Sequence, residues 1–323
     1  MAEVSSESLG VRWADWMSRL PESIHAVPLT ALAIPGSHDS FSFYIDESSP
    51  VGPEQTDTVQ SFVSVFGVVA KRLMRKWLST QSLSFRKQLQ AGIRYFDLHI
   101  STKPRDPEHQ LYFAHGFYST TVREGLEEIK AFLVEQPKEA IFLDFNHFYG
   151  MQKRHHEELV AMLRECFGER LCPVIFAQEV SLQYLWDKGY QILVFYHNPV
   201  ALDVTFLWPG QMMPAPCPNT TDPEKLIQFS QASIAERRSK GTFHVSQLVL
   251  TPRASTVVKG VTSGLRETIA ERALPVIIRW IRSQKPGENG VNIVTADFVE
   301  LGEFIGTVIG LNYPAETGGG STS

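Results

Sequence analysis

Long apolar runs are missing from this sequence. No stretch approaches the roughly 18 residues needed to cross a bilayer. Residues 1–10 are polar and acidic, without the basic-then-apolar order of a secretory leader, so a soluble, cytoplasmic protein is expected. The match to a glycosylation sequon at Asn219-Thr220-Thr221 carries little weight without an export signal. Cysteine is scarce. Cys166, Cys172 and Cys217 are odd in number and contain no CxxC, which argues against a disulfide framework or zinc module and leaves buried, reduced thiols as the expectation. Excess positive charge is also lacking: 30 Lys and Arg against 35 Asp and Glu give a net charge of -5, unlike a general nucleic-acid binder. There is no internal repeat, no GxGxxG and no Walker signature, so nucleotide-binding readings have no support.

What is present suits a large core. The 323 residues are 43% hydrophobic and include 20 Phe and 6 Trp. Strand patterns at 29–34, 92–100, 111–114, 140–145, 191–196, 243–250 and 291–296 alternate with helical patterns at 121–135, 153–167, 181–187, 223–240, 264–283 and 302–312. A further helical stretch covers 59–78. The strands read as nearly continuous apolar runs, as expected when both faces are covered. Seven or eight such units without a composition break predict an α/β protein with one distorted (β/α) TIM barrel; a doubly wound open sheet is the alternative. Residues 1–20 read as a tail and short helix anchored by Trp13 and Trp16, 21–313 as the barrel, and 314–323 as a disordered tail.

The chemistry collects where strands end. Ile34-Pro35-Gly36-Ser37-His38-Asp39-Ser40 is an apolar run broken by Pro-Gly that then delivers a histidine and a carboxylate. Asp97 and His99 share a strand at i, i+2, hence one side of the sheet. His115-Gly116, Asn146-His147 and Asp297-Phe298 follow three other strands. A barrel gathers such ends on one rim. Two histidines backed by carboxylates suit a reaction that takes one proton and gives another, as when an internal hydroxyl cleaves a phosphodiester.

These motifs, with Gly92-Ile93-Arg94-Tyr95-Phe96-Asp97, Phe113-Ala114-His115-Gly116, Leu143-Asp144-Phe145-Asn146 and Thr295-Ala296-Asp297-Phe298, resemble the phosphatidylinositol-specific phospholipase C X domain, in its small stand-alone vertebrate form. The resemblance implies cleavage of phosphatidylinositol to diacylglycerol and an inositol phosphate. It makes His38 the general base and His115 the general acid. Asp297 would orient His38, and Asp39 would support His115. It also implies an arginine on the phosphate where this chain has His99, so a weakly active or inactive phosphoinositide-binding protein is the alternative. A metal-dependent glycerophosphodiesterase is disfavoured by the Ser-His-Asp turn. Asp97, Asn146, Tyr196 and Gln247 are the candidate substrate contacts. Asp39, Asp97 and Asn146 form a poor calcium set, and no cofactor is expected. Phosphatidylinositol at a membrane surface is the expected partner, reached by transient association. Phe41, Phe43, Tyr44, the 206–209 and 212–214 loops, and Lys71, Arg72, Arg75 and Lys76 are the candidate lipid rim.

Overall fold

Local sequence sets the strands that carry the candidate site. In the computed structural model, which describes residues 13–54, 57–237 and 240–313, the first strand is shorter and later than 29–34. Pro28 leads into a 3-10 turn at Leu29–Ala31, and β1 is Ile34–Ser37. Its neighbours are β2 (Tyr95–Thr102) and β9 (Ile293–Ala296), both parallel to it. Gly36 sits where these two strands crowd β1. A Cβ there would lie 2.7 Å from Tyr95 Cδ1 and 2.9 Å from Thr295 Cγ2.

The remaining strands are β3 (Leu111–His115), β4 (Phe117–Thr121), β5 (Ile141–Tyr149), β6 (Ile192–Tyr196), β7 (Leu207–Pro209) and β8 (Val245–Gln247). Seven of the nine run parallel in the order β7-β6-β5-β2-β1-β9-β8. Among the described residues β7 and β8 do not pair with each other. The gap is spanned instead by irregular chain: Phe243 N donates to Met212 O and Val245 N to Pro214 O, at 3.1 and 2.9 Å. The barrel is therefore distorted, as expected, and closed on one side without a strand ladder.

Two strands depart from the expected parallel order. β3 runs antiparallel to β2 with Ile100 opposite Phe113, and β4, which the sequence reading missed, pairs antiparallel with β3. This excursion turns at Gly116, whose φ of 71° suits a residue without a Cβ. Helices lie outside the sheet. They are α1 (Asp57–Leu78), α2 (Phe85–Ala91), α3 (Val122–Glu135), α4 (Lys153–Phe167), α5 (Leu182–Lys188), α6 (Pro223–Arg237), α7 (Ala254–Lys259), α8 (Glu271–Arg282) and α9 (Phe304–Gly310). α1 breaks its helical path at Gly67. α3 begins with a capping box between Thr121 and Glu124 and buries Val122, Leu126, Ile129 and Leu133, the face its spacing foretold.

The bottom of the barrel is sealed by a buried ion pair. Arg94 Nη2 lies 2.8 Å from Glu139 Oε2, and both side chains are fully buried. The guanidinium also donates to Leu89, Ile93 and Ala14 carbonyls at 2.7–2.8 Å. Residues 13–20 form consecutive turns across this end rather than the expected helix, with Trp16 Nε1 donating to Gly92 O at 2.9 Å. The rest of the predicted N-terminal segment and the predicted 314–323 tail lie outside the described residues. Cys166 and Cys172 are buried free thiols as expected; Cys217 is free but exposed.

The supposed second lipid loop belongs to the core. Leu207 and Trp208 form β7 with at most 1% exposure, Trp208 packs on Phe195 and Phe243, and Met213 is also buried. Phe41 is likewise buried, stacked on Phe113. Replacing Gly36 by Ala forces a methyl between Tyr95 and Thr295. Urea denaturation is expected to show a loss of ~1–3 kcal/mol, the usual penalty for overpacking; an unchanged midpoint contradicts the crowding described.

Candidate active site

The turn after β1 puts a carboxylate where imidazoles converge. Asp39 has φ of 40°, a left-handed conformation that costs a non-glycine residue energy. It is held there by its own amide, which donates to Asp97 Oδ2 at 2.8 Å, and by Ser40, whose amide donates to Asp97 O. Ser40 Oγ receives the Asp97 amide at 2.8 Å, locking the turn to β2. Gln81 completes the frame. Its Nε2 donates to His38 O and Ala296 O, at 2.9 and 3.0 Å, tying the ends of β1 and β9. Nothing in the sequence around Gln81 marked it for this task.

His38 Nδ1 donates to Asp297 Oδ1 at 2.8 Å, which leaves Nε2 facing the pocket. That Nε2 lies 3.6 Å from Asp39 Oδ2. His115 Nε2 also lies 3.6 Å from Asp39 Oδ2, so the two nitrogens are at most twice that distance apart. His115 reaches this point because β3 runs backwards along β2. The parallel strand end expected from sequence is not what delivers it. The 115–116 turn is clamped by Glu54, which accepts the Gly116 amide, and by Gly52 N donating to Gly116 O at 2.7 Å.

His99 stands on the same face of β2 as Asp97, as its spacing requires. Its Nε2 is 3.4 Å from both Asp39 Oδ1 and Asp97 Oδ1. A register shift between β2 and β5 pairs Leu98 with Phe145 but His99 with His147, making Asn146 the extra residue. The bulge aims Asn146 Nδ2 at Asp97 Oδ1, 2.8 Å away, while Asn146 Oδ1 accepts from His147 Nδ1 at 2.7 Å. Asp97 therefore accepts a bond on each oxygen, and the amide oxygen of Asn146 is occupied. Within the weak calcium set of Asp39, Asp97 and Asn146, Asp39 is the residue whose oxygens accept no hydrogen bond.

Charge follows this geometry. Burial alone would lower the pKa of His38, but the Asp39 and Asp297 carboxylates overcome it and hold the ring well above the ordinary histidine value. Burial opposes the charge on His99 too, yet Asp39 and Asp97 raise it. Burial would raise Asp39; His115, His38 and His99 together pull it below the usual carboxylate range. His147, partly desolvated and beside the His99 ring, is lowered.

Two expected contacts fall away from this group. Tyr196 is buried and its hydroxyl pairs with His156 Nδ1 at 2.7 Å. Gln247 ends β8 at the rim, but its Nε2 donates to Ala215 O. The residue after Tyr196 is the one that joins the site's periphery. His197 Nε2 donates to Asp144 Oδ1 at 2.8 Å, and Asp144 Oδ2 also accepts from Tyr95 OH and, at 3.5 Å, from Asn146. A strand-end histidine at 197 was the available signal.

The fold is a distorted α/β barrel with a histidine–carboxylate cluster at its strand ends, and comparison with known proteins supplies the family. The profile for "Phosphatidylinositol-specific phospholipase C, X domain" matches residues 71–198, a span that contains Asp97, His99, His115 and Asn146. The chain is 73% identical over 312 residues to PI-PLC X domain-containing protein 3 of Bos taurus, covering 97% of each. It is 52% identical to PI-PLC X domain-containing protein 2 of Mus musculus, covering 93% of this chain and 87% of that one. The chain belongs to the PI-PLC X-domain family. Among solved structures, phosphatidylinositol-specific phospholipase C from Listeria monocytogenes shares the fold with a TM-score of 0.66 at 19% identity, covering 94% of this chain and 99% of that chain.

Because folding raises the pKa of His38, the His38–Asp297 pair contributes its full stabilisation below the unfolded value of about 6.5. That stabilisation is lost as pH rises through the folded pKa. Asp297→Asn is expected to move the NMR titration of the His38 ring down toward 6.5. It should also narrow the stability difference from wild type between pH 6 and pH 9. A ring titration unmoved by the substitution would refute the pairing.

Proposed function

We propose that this protein cleaves phosphatidylinositol by metal-free acid–base catalysis. The observation that supports the reading most directly is the placing of His38 and His115 on one buried carboxylate oxygen, each at 3.6 Å. Asp297 fixes the His38 tautomer so that Nε2 takes the proton of the inositol 2-hydroxyl. That oxygen then forms a bond to phosphorus. The bond from phosphorus to the diacylglycerol oxygen breaks, and His115 gives this oxygen its proton. Diacylglycerol leaves, and the cyclic inositol phosphate is opened by water with the two histidines exchanging roles. His99, kept cationic by Asp39 and Asp97, faces the phosphate oxygens as charge builds on them. Calcium fits the donor set poorly, since two carboxylates and an amide among imidazoles stand in for the six to eight oxygens it takes.

The lipid surface is met by α1 rather than by the loops singled out from sequence. Val65, Val68 and Val69 are 62–75% exposed around the Gly67 break, and Tyr44 is 49% exposed nearby in sequence to the site turn. Lys71 and Arg75 are engaged by Glu47 and the 47–49 backbone and Lys76 by Thr262 O, and Arg72, Arg75 and Lys76 are all exposed. Among the described residues no helix is long and apolar enough to cross a membrane.

One observation favours a second reading, that of a phosphoinositide-binding protein without efficient turnover. His99 is buried between two carboxylates, and its Nδ1 has no hydrogen-bond partner, a poorer phosphate anchor than a forked guanidinium. Product analysis on labelled phosphatidylinositol vesicles, with and without chelator, separates the two. Diacylglycerol and cyclic inositol phosphate are expected from wild type, with turnover down by ~10²–10⁴ in both His38→Ala and His115→Ala. Equal turnover in wild type and His38→Ala ends the catalytic reading. Vesicle binding without cleavage, in wild type and in His99→Arg alike, establishes the rival.

A further inference from the structure

The pocket contains a donor set whose spacing the acid–base reaction does not require. Asp39 is 1% exposed, yet neither of its carboxylate oxygens receives a hydrogen bond. A buried carboxylate in this state is costly unless something else satisfies it. Its Oδ1 faces His99 Nε2 at 3.4 Å, and its Oδ2 faces His115 Nε2 at 3.6 Å. Charge-assisted hydrogen bonds are shorter, at about 2.7–2.9 Å. Each separation, one to either Asp39 oxygen, instead approaches that between two ligands of one tetrahedral ion. With bonds of ~2.0–2.1 Å, such ligands stand about 1.6 bond lengths apart, or ~3.3–3.4 Å. Ligand atoms from Asp39, His99 and His115 all lie within 4.8 Å of one another.

We infer that Asp39, His99 and His115 form a binding site for one zinc-class divalent ion, with its fourth position open to the pocket. Two imidazole nitrogens and one carboxylate are the ligands such an ion prefers, and the same set repels an oxygen-seeking ion such as calcium. His99 decides the matter: an arginine at this position offers donors only and cannot ligate a cation. His38 Nε2, also 3.6 Å from Asp39 Oδ2, borders the site, and Asp297 holds that ring by its other nitrogen. Ion binding stands on the geometry alone. Its consequence rests on the proposed reaction: an ion on His115 Nε2 takes the lone pair that must carry the leaving-group proton, so an occupied site blocks cleavage. The ion is thereby an inhibitor, and cleavage belongs to the metal-free protein.

The test uses the full chain, stripped with chelator and titrated with Co²⁺, whose visible absorption reports tetrahedral coordination. One Co²⁺ per chain is expected, displaced by one equivalent of Zn²⁺ and not by Ca²⁺. His99→Arg and Asp39→Asn should each weaken binding by more than ~10-fold, the lower end of what even outer-sphere changes cost at metal sites. Circular dichroism confirms that each variant folds, and His99→Gln stands in should the arginine disturb the core. Absorption and stoichiometry unchanged in these variants, as when the ion sits elsewhere on the chain, overturn the inference. So does the absence of a one-to-one complex. Phosphatidylinositol cleavage measured alongside should fall as Zn²⁺ occupancy rises, and stimulation by Zn²⁺ overturns the inhibitory role. Metal-free protein that binds Co²⁺ in the pocket yet never cleaves phosphatidylinositol sinks the proposed reaction and leaves the ion site standing.

Discussion

A single buried carboxylate organises the pocket. Asp39 sits in a left-handed backbone conformation and faces His38, His99 and His115 at 3.4–3.6 Å. An ionised side chain buried this deeply is tolerable only when opposite charge surrounds it. The three rings surround it, and in return His38 and His99 are raised above the ordinary histidine value by a group that cannot turn away. Its amide is fixed on Asp97, Asp97 is fixed by Asn146, and Asn146 is aimed by a bulge in β5. The site is thus a chain of constraints running across three strands, and each link uses a backbone irregularity rather than an ideal ladder.

The same economy explains the outer frame. Gln81 and Thr80 reach the His38 carbonyl from the segment after α1, and Gln81 also reaches β9. The strand ends bearing His38 and Asp297 are therefore stapled to each other independently of their side-chain pair. At the opposite end, Arg94 and Glu139 bind the 13–18 turns to the barrel floor. Chemistry and closure are kept at separate ends, a division that barrels make possible because their loops vary without disturbing the packed strands.

Much of this was legible in the chain. Histidines and carboxylates that follow apolar runs declared the rim, and the i, i+2 spacing of Asp97 and His99 declared their common face. Three things were hidden, for different reasons. The 206–213 stretch has the composition of a lipid-seeking loop, but composition cannot tell apolar residues buried in a short strand from those at a surface; Trp208 is wholly buried. The antiparallel β3–β4 excursion looks locally like any other strand, since the direction of pairing is a long-range choice. Gln81 and His197 act through partners more than 40 residues away, and nothing near them in sequence records those partners. Tyr196, expected at the substrate, pairs its hydroxyl with His156, while His197 next to it reaches Asp144, neighbours at a strand end facing opposite ways.

The hairpin that carries His115 has a consequence for how the pocket comes apart. His38 rides in the parallel ring, bordered on both sides, whereas β3 is joined to that ring through only three facing positions on β2, 100–102. Fraying there withdraws one ring while the other keeps its place. The two halves of the pocket thus have unequal tenure. Warming or mild denaturant should silence the arm that carries residue 115 while the barrel itself still stands.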